Sequence, residues 1–276
     1  KNGKIIPILG TSLEISSDQK LFKVTLRKGV KFSNGEPFTA RAFVDHFKRA
    51  MKATMVNFIR GQIGPVKDVV AVDSHTVEFR MSRPHAGFKA ALTGPFQFFW
   101  VNAPEHAKNM GPFVTKLPVG TGPYMLDDWE QGVKLTLVRN PNYRYPEKQY
   151  LDKIVMPLVS REEARFNALK SGDIDLYITN SGKIAKQAEK DPSIEVFGQV
   201  DQGSGIVALD TSKPPLDDVR VRKALAYAVD RKVEVQAALG GVGGILATDW
   251  FGPKSKWYCG GKTNYPEYNP AKAKEL

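Results

Sequence analysis

The sequence predicts an α/β fold, because strand-like and helix-like segments alternate along its 276 residues. Near the middle of the chain, a strand-like segment (154–159) is followed by a helix-like segment and then by a second strand-like segment (173–178, DIDLYI). Ser160 and Glu163 have the spacing of a capping box at the start of that helix, and Gly172 is suited to end it. We therefore expect a βαβ unit here.

The composition agrees with a folded protein, since hydrophobic residues make up 42% of the chain and charged residues 25%. The length suggests roughly two domains. No apolar run approaches the ~20 residues that span a bilayer, and no secretory signal opens the sequence. Residues 269–276 resemble the first turns of a helix, so we expect a piece of a longer protein, truncated at both ends.

The first clear elements lie between residues 20 and 50. Residues 22–26 alternate apolar with polar side chains, which predicts a strand with one buried face. Residues 33–35 (SNG) predict a turn, and Thr39 is placed to cap an amphipathic helix that runs to about Ala50.

A hairpin is predicted next. Residues 66–72 and 76–81 have strand character on either side of a short polar turn, with Val77, Phe79 and Met81 on the buried face.

The remaining elements are predicted in the second half of the chain. Residues 133–138 and 206–209 are strand-like, and a helix follows the proline pair at 214–215. Asp230 is placed to cap a further helix that ends near Leu239.

The formal net charge of +11 predicts a basic surface, a feature of proteins that bind nucleic acid or an anionic membrane surface. Lysines and arginines are spread along the chain without a block of five or six, and no nucleic-acid-binding motif accompanies them. A solvated basic surface is therefore favoured, and we expect no nucleic-acid partner. One cysteine, Cys259, excludes an internal disulfide and a zinc site built from several cysteines.

Patterns for catalysis, metal binding and phosphate binding are weak. Residues 120–123 (GTGP) precede strand-like sequence and not a helix, and Pro123 has no N–H, so a structural turn is favoured over a phosphate loop. The four histidines show no HExxH motif or close pair. No GxSxG motif occurs. We expect no catalysis, no bound metal and no cofactor.

The aromatic run at residues 96–100 (FQFFW) is the strongest candidate for ligand binding. In a strand, Phe96, Phe98 and Trp100 share one face, while Gln97 and Phe99 share the other. One face can belong to the core while the other lines a cleft, because aromatic walls with one polar group suit small-molecule binding. From the residues alone, both core and cleft remain open.

Nine separated segments resemble, in order, the family of extracytoplasmic solute-binding proteins that deliver peptides, nickel and related solutes to ABC importers. They are 25–32 (TLRKGVKF), 34–40 (NGEPFTA), 43–49 (FVDHFKR), 72–79 (VDSHTVEF), 120–124 (GTGPY), 139–143 (RNPNY), 169–175 (LKSGDID), 214–230 (PPLDDVRVRKALAYAVD) and 268–273 (YNPAKA). Each segment alone is weak, but the shared order over nearly the whole chain makes the resemblance specific.

The resemblance implies a periplasmic binding protein-like type II fold, in which two lobes close around a ligand and an extra subdomain is attached to the first lobe. On this basis, residues 1–118 are expected to form the extra subdomain. Residues 119–209 would form part of the sheet of lobe I. Residues 210–276 would contain the crossing and the beginning of lobe II.

The implied function is capture of an oligopeptide, a dipeptide or a related small solute for an ABC importer. The resemblance places nine residues at the ligand cleft: Phe58, Phe96, Gln97, Phe98, Phe99, Trp100, Gln202, Gly203 and Ser204. The expected partners are the ligand and the permease subunits, with membrane contact only through the permease or a lipid anchor. A periplasmic or lipid-anchored extracytoplasmic monomer is expected.

Two other classes of function remain open from the sequence. The first is a solute-sensing domain of an intracellular transcriptional regulator, which a helix-turn-helix upstream would support. The second is a peptidase, although the chain offers no catalytic triad or metal set.

Overall fold

The computed structural model describes residues 5–52, 63–93, 100–108, 118–197, 207–239, 258, 260 and 265–276. The chain divides into two compact units, Lys1–Leu158 and Val159–Leu276, and each has a hydrophobic cluster of its own. The domain boundaries expected at residues 118 and 209 stay predictions.

The first unit begins with a four-stranded antiparallel sheet. Its strands are β1 (Gly10–Ile15), β2 (Leu21–Leu26), β3 (Val66–Ala71) and β4 (Thr76–Met81), in the order β1-β2-β4-β3. The strands β2, β3 and β4 confirm the predictions from alternating hydrophobicity. Val77, Phe79 and Met81 are buried, as the predicted hairpin requires.

Two helices, α1 (Ala40–Lys52) and α2 (Phe88–Ala91), pack against this sheet. A third helix, α3 (Pro104–Lys108), contacts α1. The predicted cap of α1 is confirmed, since Thr39 Oγ1 accepts a hydrogen bond from Ala42 N at 3.2 Å. The rings of Phe43 and Phe47 lie 5.8 and 5.5 Å from the ring of Phe79. Burial of each such side chain contributes about 1.5–3 kcal/mol.

A second antiparallel sheet completes the first unit. It consists of β5 (Tyr124–Glu130), β6 (Lys134–Arg139) and β7 (Lys153–Pro157), in the order β5-β6-β7. The strands predicted at 133–138 and 154–159 are confirmed, each with ends shifted by one or two residues. A short 3-10 helix, Pro146–Lys148, lies between β6 and β7.

In the second unit, helices are the regular elements of the described residues. They are α4 (Glu162–Ser171), α5 (Gly182–Ala188), α6 (Val219–Ala228), α7 (Arg231–Leu239) and α8 (Pro270–Glu275). The predicted end of α4 is confirmed, since Gly172 adopts a left-handed conformation with φ of 81°. The predicted cap of α7 is confirmed as well, because Asp230 Oδ1 accepts hydrogen bonds from Lys232 N and Val233 N.

The βαβ prediction is wrong for the described residues, because residues 173–178 do not form a strand. The N–H groups of Asp173 and Ile174 donate to Ala168 O and so extend the end of α4. The side chains of Leu176 and Ile178 are 75% and 80% exposed. Alternating apolar residues are not sufficient for a strand here, since no described strand pairs with this segment.

Two further predictions in this unit are wrong. Helix α4 begins at Glu162, so Ser160 lies outside the capping position, which Arg161 occupies without a side-chain hydrogen bond. Residues 207–209 are not a strand, and Ile206 lies outside the described residues. None of the helices in the described part of the chain is long and apolar enough to cross a membrane.

Candidate functional site

Of the nine predicted ligand-binding residues, Trp100 lies in the part of the chain that the structure describes. Its side chain is 63% exposed, so within this chain Trp100 is a surface residue and not part of the core. The other eight lie outside the described residues, and their roles stay predictions. They are Phe58, Phe96, Gln97, Phe98, Phe99, Gln202, Gly203 and Ser204.

The backbone that follows Trp100 is anchored to the unit. Val101 and Ala103 are buried. The Ala103 N–H donates to Val119 O at 2.9 Å, and the Val119 N–H donates to Asn102 Oδ1 at 3.3 Å. These bonds join two segments 17 residues apart. The exposed indole therefore lies two or three residues before a backbone segment that hydrogen bonds hold in place.

The loop at residues 120–124 continues directly from Val119 and has a structural role. The carbonyl of Gly120 accepts a hydrogen bond from Ser33 N at 2.9 Å, and the carbonyl of Gly122 accepts one from Asn140 Nδ2 at 2.7 Å. Strand β5 follows at Tyr124, as predicted. Because the loop turns carbonyl oxygens toward protein donors and no helix follows it, the interpretation as a structural turn is supported.

Two buried amides, Asn140 and Gln149, hold this loop. Asn140 is 1% exposed, and its backbone N–H donates to Pro123 O at 3.0 Å. Gln149 is 7% exposed, and its Nε2 donates to the carbonyls of Pro123 and Asn140. Asn142 Nδ2 donates to Ser33 O at 3.0 Å and ties the loop region to the turn before α1. We name the side chains of Asn140, Asn142 and Gln149, together with the loop carbonyls of Gly122 and Pro123, the amide junction.

The sequence contains no signal that assigns a role to the residues of the amide junction. Residues 139–143 contributed to the family resemblance, but nothing in their composition indicates that Asn140 is buried. The asparagine–proline pair at 140–141 is a turn signal, and exposed turns share that signal. Tertiary contacts place these amides inside, and one sequence does not carry that information.

The cavities among the described residues include two of similar volume. One has a volume of about 430 Å³ and lies between α1 and α3, where Arg49, His46 and Asn102 contribute to its wall. Burial lowers the pKa of Arg49, and Arg49 Nη2 lies 3.1 Å from His46 Nδ1. The other, of about 440 Å³, lies between α4 and α5 in the second unit.

Glu162 is a titratable residue with a structural role. The hydroxyl groups of Thr179 and Tyr177 donate to Glu162 Oε1 at 2.6 and 2.9 Å, and these bonds lower the pKa of Glu162. No group of three or more potential metal ligands occurs in the described part of the chain. The glutamate thus joins the first turn of α4 to the segment that follows the helix.

Solved structures identify the fold as that of periplasmic binding proteins. The periplasmic binding protein AgaA of A. tumefaciens R10, solved with agropinic acid, matches with a TM-score of 0.84 and 26% identity over 99% of this chain and 55% of its own. A dipeptide-binding protein of Pseudoalteromonas sp. SM9913, solved with Met-Leu, matches with a TM-score of 0.84 and 25% identity over 99% and 57%. The chain therefore has an α/β type II binding protein fold.

The chain belongs to family 5 of the bacterial extracellular solute-binding proteins, whose model matches residues 4–276. The nickel-binding periplasmic protein of Escherichia coli K12 is 32% identical over 100% of this chain and 53% of its own length. Heme-binding protein A of Haemophilus influenzae is 31% identical over 99% and 53%. The chain spans about half the length of these curated relatives.

Proposed function

We propose that the protein carrying this chain is the solute-binding component of an ABC importer. The observation that carries the proposal is the match of the family model to residues 4–276, in a fold shared with ligand-bound periplasmic proteins. The named relatives are binding proteins and not enzymes, which supports a role in capture and not in catalysis.

The proposed ligand is an oligopeptide, a dipeptide or a related small solute. Relatives carry the names of a nickel-binding protein, a heme-binding protein and a di/tripeptide-binding protein, so the family covers several ligand chemistries. The exposed indole of Trp100 supports an aromatic wall, on which an apolar or aromatic solute group packs. Hydrogen bonds to a peptide backbone would tolerate varied ligand side chains.

The proposed mechanism is closure of two lobes around the solute. Residues 1–118 are proposed as the extra subdomain and 119–209 as part of lobe I, while 210–276 begin lobe II. A closed form that makes more contacts with the solute than the open form is favoured by solute binding. The permease subunits would then recognise the closed form, in the periplasm or at an extracytoplasmic membrane surface, where the protein acts as a monomer.

The proposal is tested by identifying the ligand of the full-length protein. Mass spectrometry of the solute released on denaturation names candidates, and calorimetry with the purified candidate measures affinity. A bound peptide or small solute that rebinds to the emptied protein is expected. Turnover of the bound solute by the protein alone would contradict the proposal.

Trp100→Ala is the test of the aromatic wall. Because the indole is largely exposed, we expect the variant to fold while its affinity for the solute falls by about 10-fold or more. Trp129→Ala is the matched control, since Trp129 lies on β5 and is also partly exposed. Equal affinity of the Trp100 variant and the wild type in calorimetry would remove Trp100 from the site.

A further inference from the structure

The positive charge of this chain is concentrated in the first unit. Residues 1–158 contain 23 Lys and Arg against 13 Asp and Glu, whereas residues 159–276 contain 17 against 16. The excess of the whole chain, +11, therefore lies almost entirely in one compact body. A field of one sign on one body attracts large anionic surfaces more strongly than an even distribution does.

Part of this charge lies at one end of the four-stranded sheet. The N–H of Met81, at the end of β4, donates to Lys20 O beside the start of β2 at 2.8 Å. The next residue, Ser82, donates to Pro65 O beside the start of β3 at 2.9 Å. The chain then crosses the β1–β2 turn, where His85 N donates to Gln19 O at 3.2 Å.

Four basic residues from four separate segments lie near this end of the sheet. Lys20 precedes β2, Lys67 lies on β3, Arg83 lies in the loop after β4, and Lys89 lies on α2. We name Lys20, Lys67, Arg83 and Lys89 the basic end. Helix α2 is fixed there by Phe88, whose ring centroid lies 4.9 Å from those of Phe22 and Phe79.

The side chains of the basic end are exposed and not neutralised in pairs. All four residues are exposed, and no ion pair within 4.0 Å joins any of them to a carboxylate among the described residues. Asp18, in the turn before Lys20, offsets one charge of the four. Elsewhere on the unit, Lys48 and Arg80 are paired with Asp68 and Glu78.

We propose that the basic end docks the protein onto anionic lipid headgroups of the membrane, a contact in addition to the permease or lipid anchor expected from the sequence. The four cations line neither the cavity between α1 and α3 nor the cavity between α4 and α5. They therefore suit an extended anionic surface better than a small enclosed anion. The choice of a membrane rests on the proposed extracytoplasmic role beside an importer. Each basic residue close to an anionic membrane strengthens such docking, and salt weakens it.

The test is sedimentation of the full-length protein, prepared without any lipid anchor, with phosphatidylglycerol-containing vesicles and with pure phosphatidylcholine vesicles. We expect binding to the anionic vesicles alone. The affinity of the variant K20E/K67E/R83E/K89E for anionic vesicles should be lower by a factor of about 10 or more. Raising the salt well above about 0.15 M, where the Debye length is about 8 Å, should abolish the difference.

The matched control is K183E/K223E/K232E/K274E. It changes the net charge by the same amount through four exposed lysines of the second unit. This control should keep the wild-type binding, and circular dichroism should show that both variants fold. Equal losses in the two variants, or no vesicle binding by the wild type, would overturn the proposal. Binding to a soluble acidic protein in preference to anionic vesicles would also overturn it. Because the affinity for the solute is measured in a separate experiment, the proposed role in solute binding and the proposed membrane docking can be contradicted independently.

Discussion

At the scale of single residues, the amide junction shows how a polar side chain can fix a loop. Asn140 donates to Gly122 O through Nδ2 and accepts from Asn142 N through Oδ1, at 2.7 and 2.9 Å, while almost none of its surface meets solvent. Both of its hydrogen-bond partners, the Gly122 carbonyl and the Asn142 N–H, are main-chain groups. Removing the amide would leave a carbonyl and an N–H without these partners.

Asn140→Ala is therefore expected to destabilise the protein by about 1–3 kcal/mol. The measurement is the free energy of unfolding in urea, followed by circular dichroism. Gln131→Ala is the control in the same unit, because Gln131 is exposed in the β5–β6 turn and should change stability by less than ~0.5 kcal/mol. A loss for Asn140→Ala no larger than that of the control would contradict the role of the junction.

Gly64 illustrates a different constraint, since both its backbone conformation and its surroundings require glycine. Its φ is +72°, and a Cβ added there would lie 2.5 Å from His85 Nε2. Gly29 has the same φ of +72° but nothing within 4 Å of such a Cβ. Substitutions at these two glycines therefore distinguish the cost of backbone strain from the cost of a steric clash.

Gly29→Ala is expected to cost about 1 kcal/mol of unfolding free energy from backbone strain. Gly64→Ala should cost about 1–3 kcal/mol more, because the clash forces His85 to move. Urea unfolding of both variants measures the difference. The excess should disappear in a His85→Ala background, and an excess that persists there would show that His85 is not its source.

At the scale of elements, helix α6 depends on a charged cap. Asp218 Oδ1 accepts a hydrogen bond from Arg220 N at 2.8 Å, and Arg220 Nη2 lies 2.6 Å from Asp218 Oδ2. Hydrogen bonds from the Arg220 side chain, and then from its backbone, lower the pKa of Asp218 from 3.8 to about 2. The folded state therefore favours the ionised carboxyl group more than the unfolded state does.

Because the folded-state pKa is depressed, the contribution of Asp218 is fully present above the unfolded-state value and is lost as the pH falls toward about 2. Asp218→Asn should lower the melting temperature near neutral pH, and its deficit should shrink below a pH of about 4. Asp217→Asn, one residue before the cap, is the control. A deficit for Asp218→Asn that stays constant down to the lowest pH at which the protein is folded would refute this linkage.

The sequence predicted elements best where local signals and burial agree. Strand β2 and helix α1 combine clear periodicity with a turn and a cap, and both are confirmed. Residues 173–178 have equally clear alternation but form no strand among the described residues. Periodicity states which side chains tend to be buried, whereas a strand also needs a partner for its backbone groups.

The candidate site was less predictable than the fold. Trp100 was selected from an aromatic run and is exposed, and its role in binding stays a prediction. The role of Asn140 emerged only from the structure, because its partners Gly122 and Pro123 lie 17 or 18 positions earlier in the chain. A pattern within a few neighbouring residues contains no information on contacts of that separation.

At the scale of the whole molecule, the chain matches about half the length of its curated relatives. Ligand sites usually bury most of the surface of a small ligand. In the proposed closure of two lobes, residues outside this chain would provide part of such a site. We therefore expect the 276-residue chain alone to bind the solute about 100-fold more weakly than the full-length protein, or not at all.

Isothermal calorimetry of the chain and of the full-length protein with the same solute measures this difference. Circular dichroism of the chain must first show secondary structure, so that weak binding is not simply loss of folding. Micromolar affinity of the chain alone would show that the complete site lies within these residues.

The bond from Asn142 Nδ2 to Ser33 O also has a consequence for the order of folding. It joins residues 109 positions apart, whereas β3 and β4 are joined through a short turn. Closing so long a loop costs entropy before its contacts form, so the hairpin should assemble early and the amide junction late. Contacts made after the folding transition state control the rate of unfolding. The junction would thus determine how long the native protein persists more than how quickly it forms.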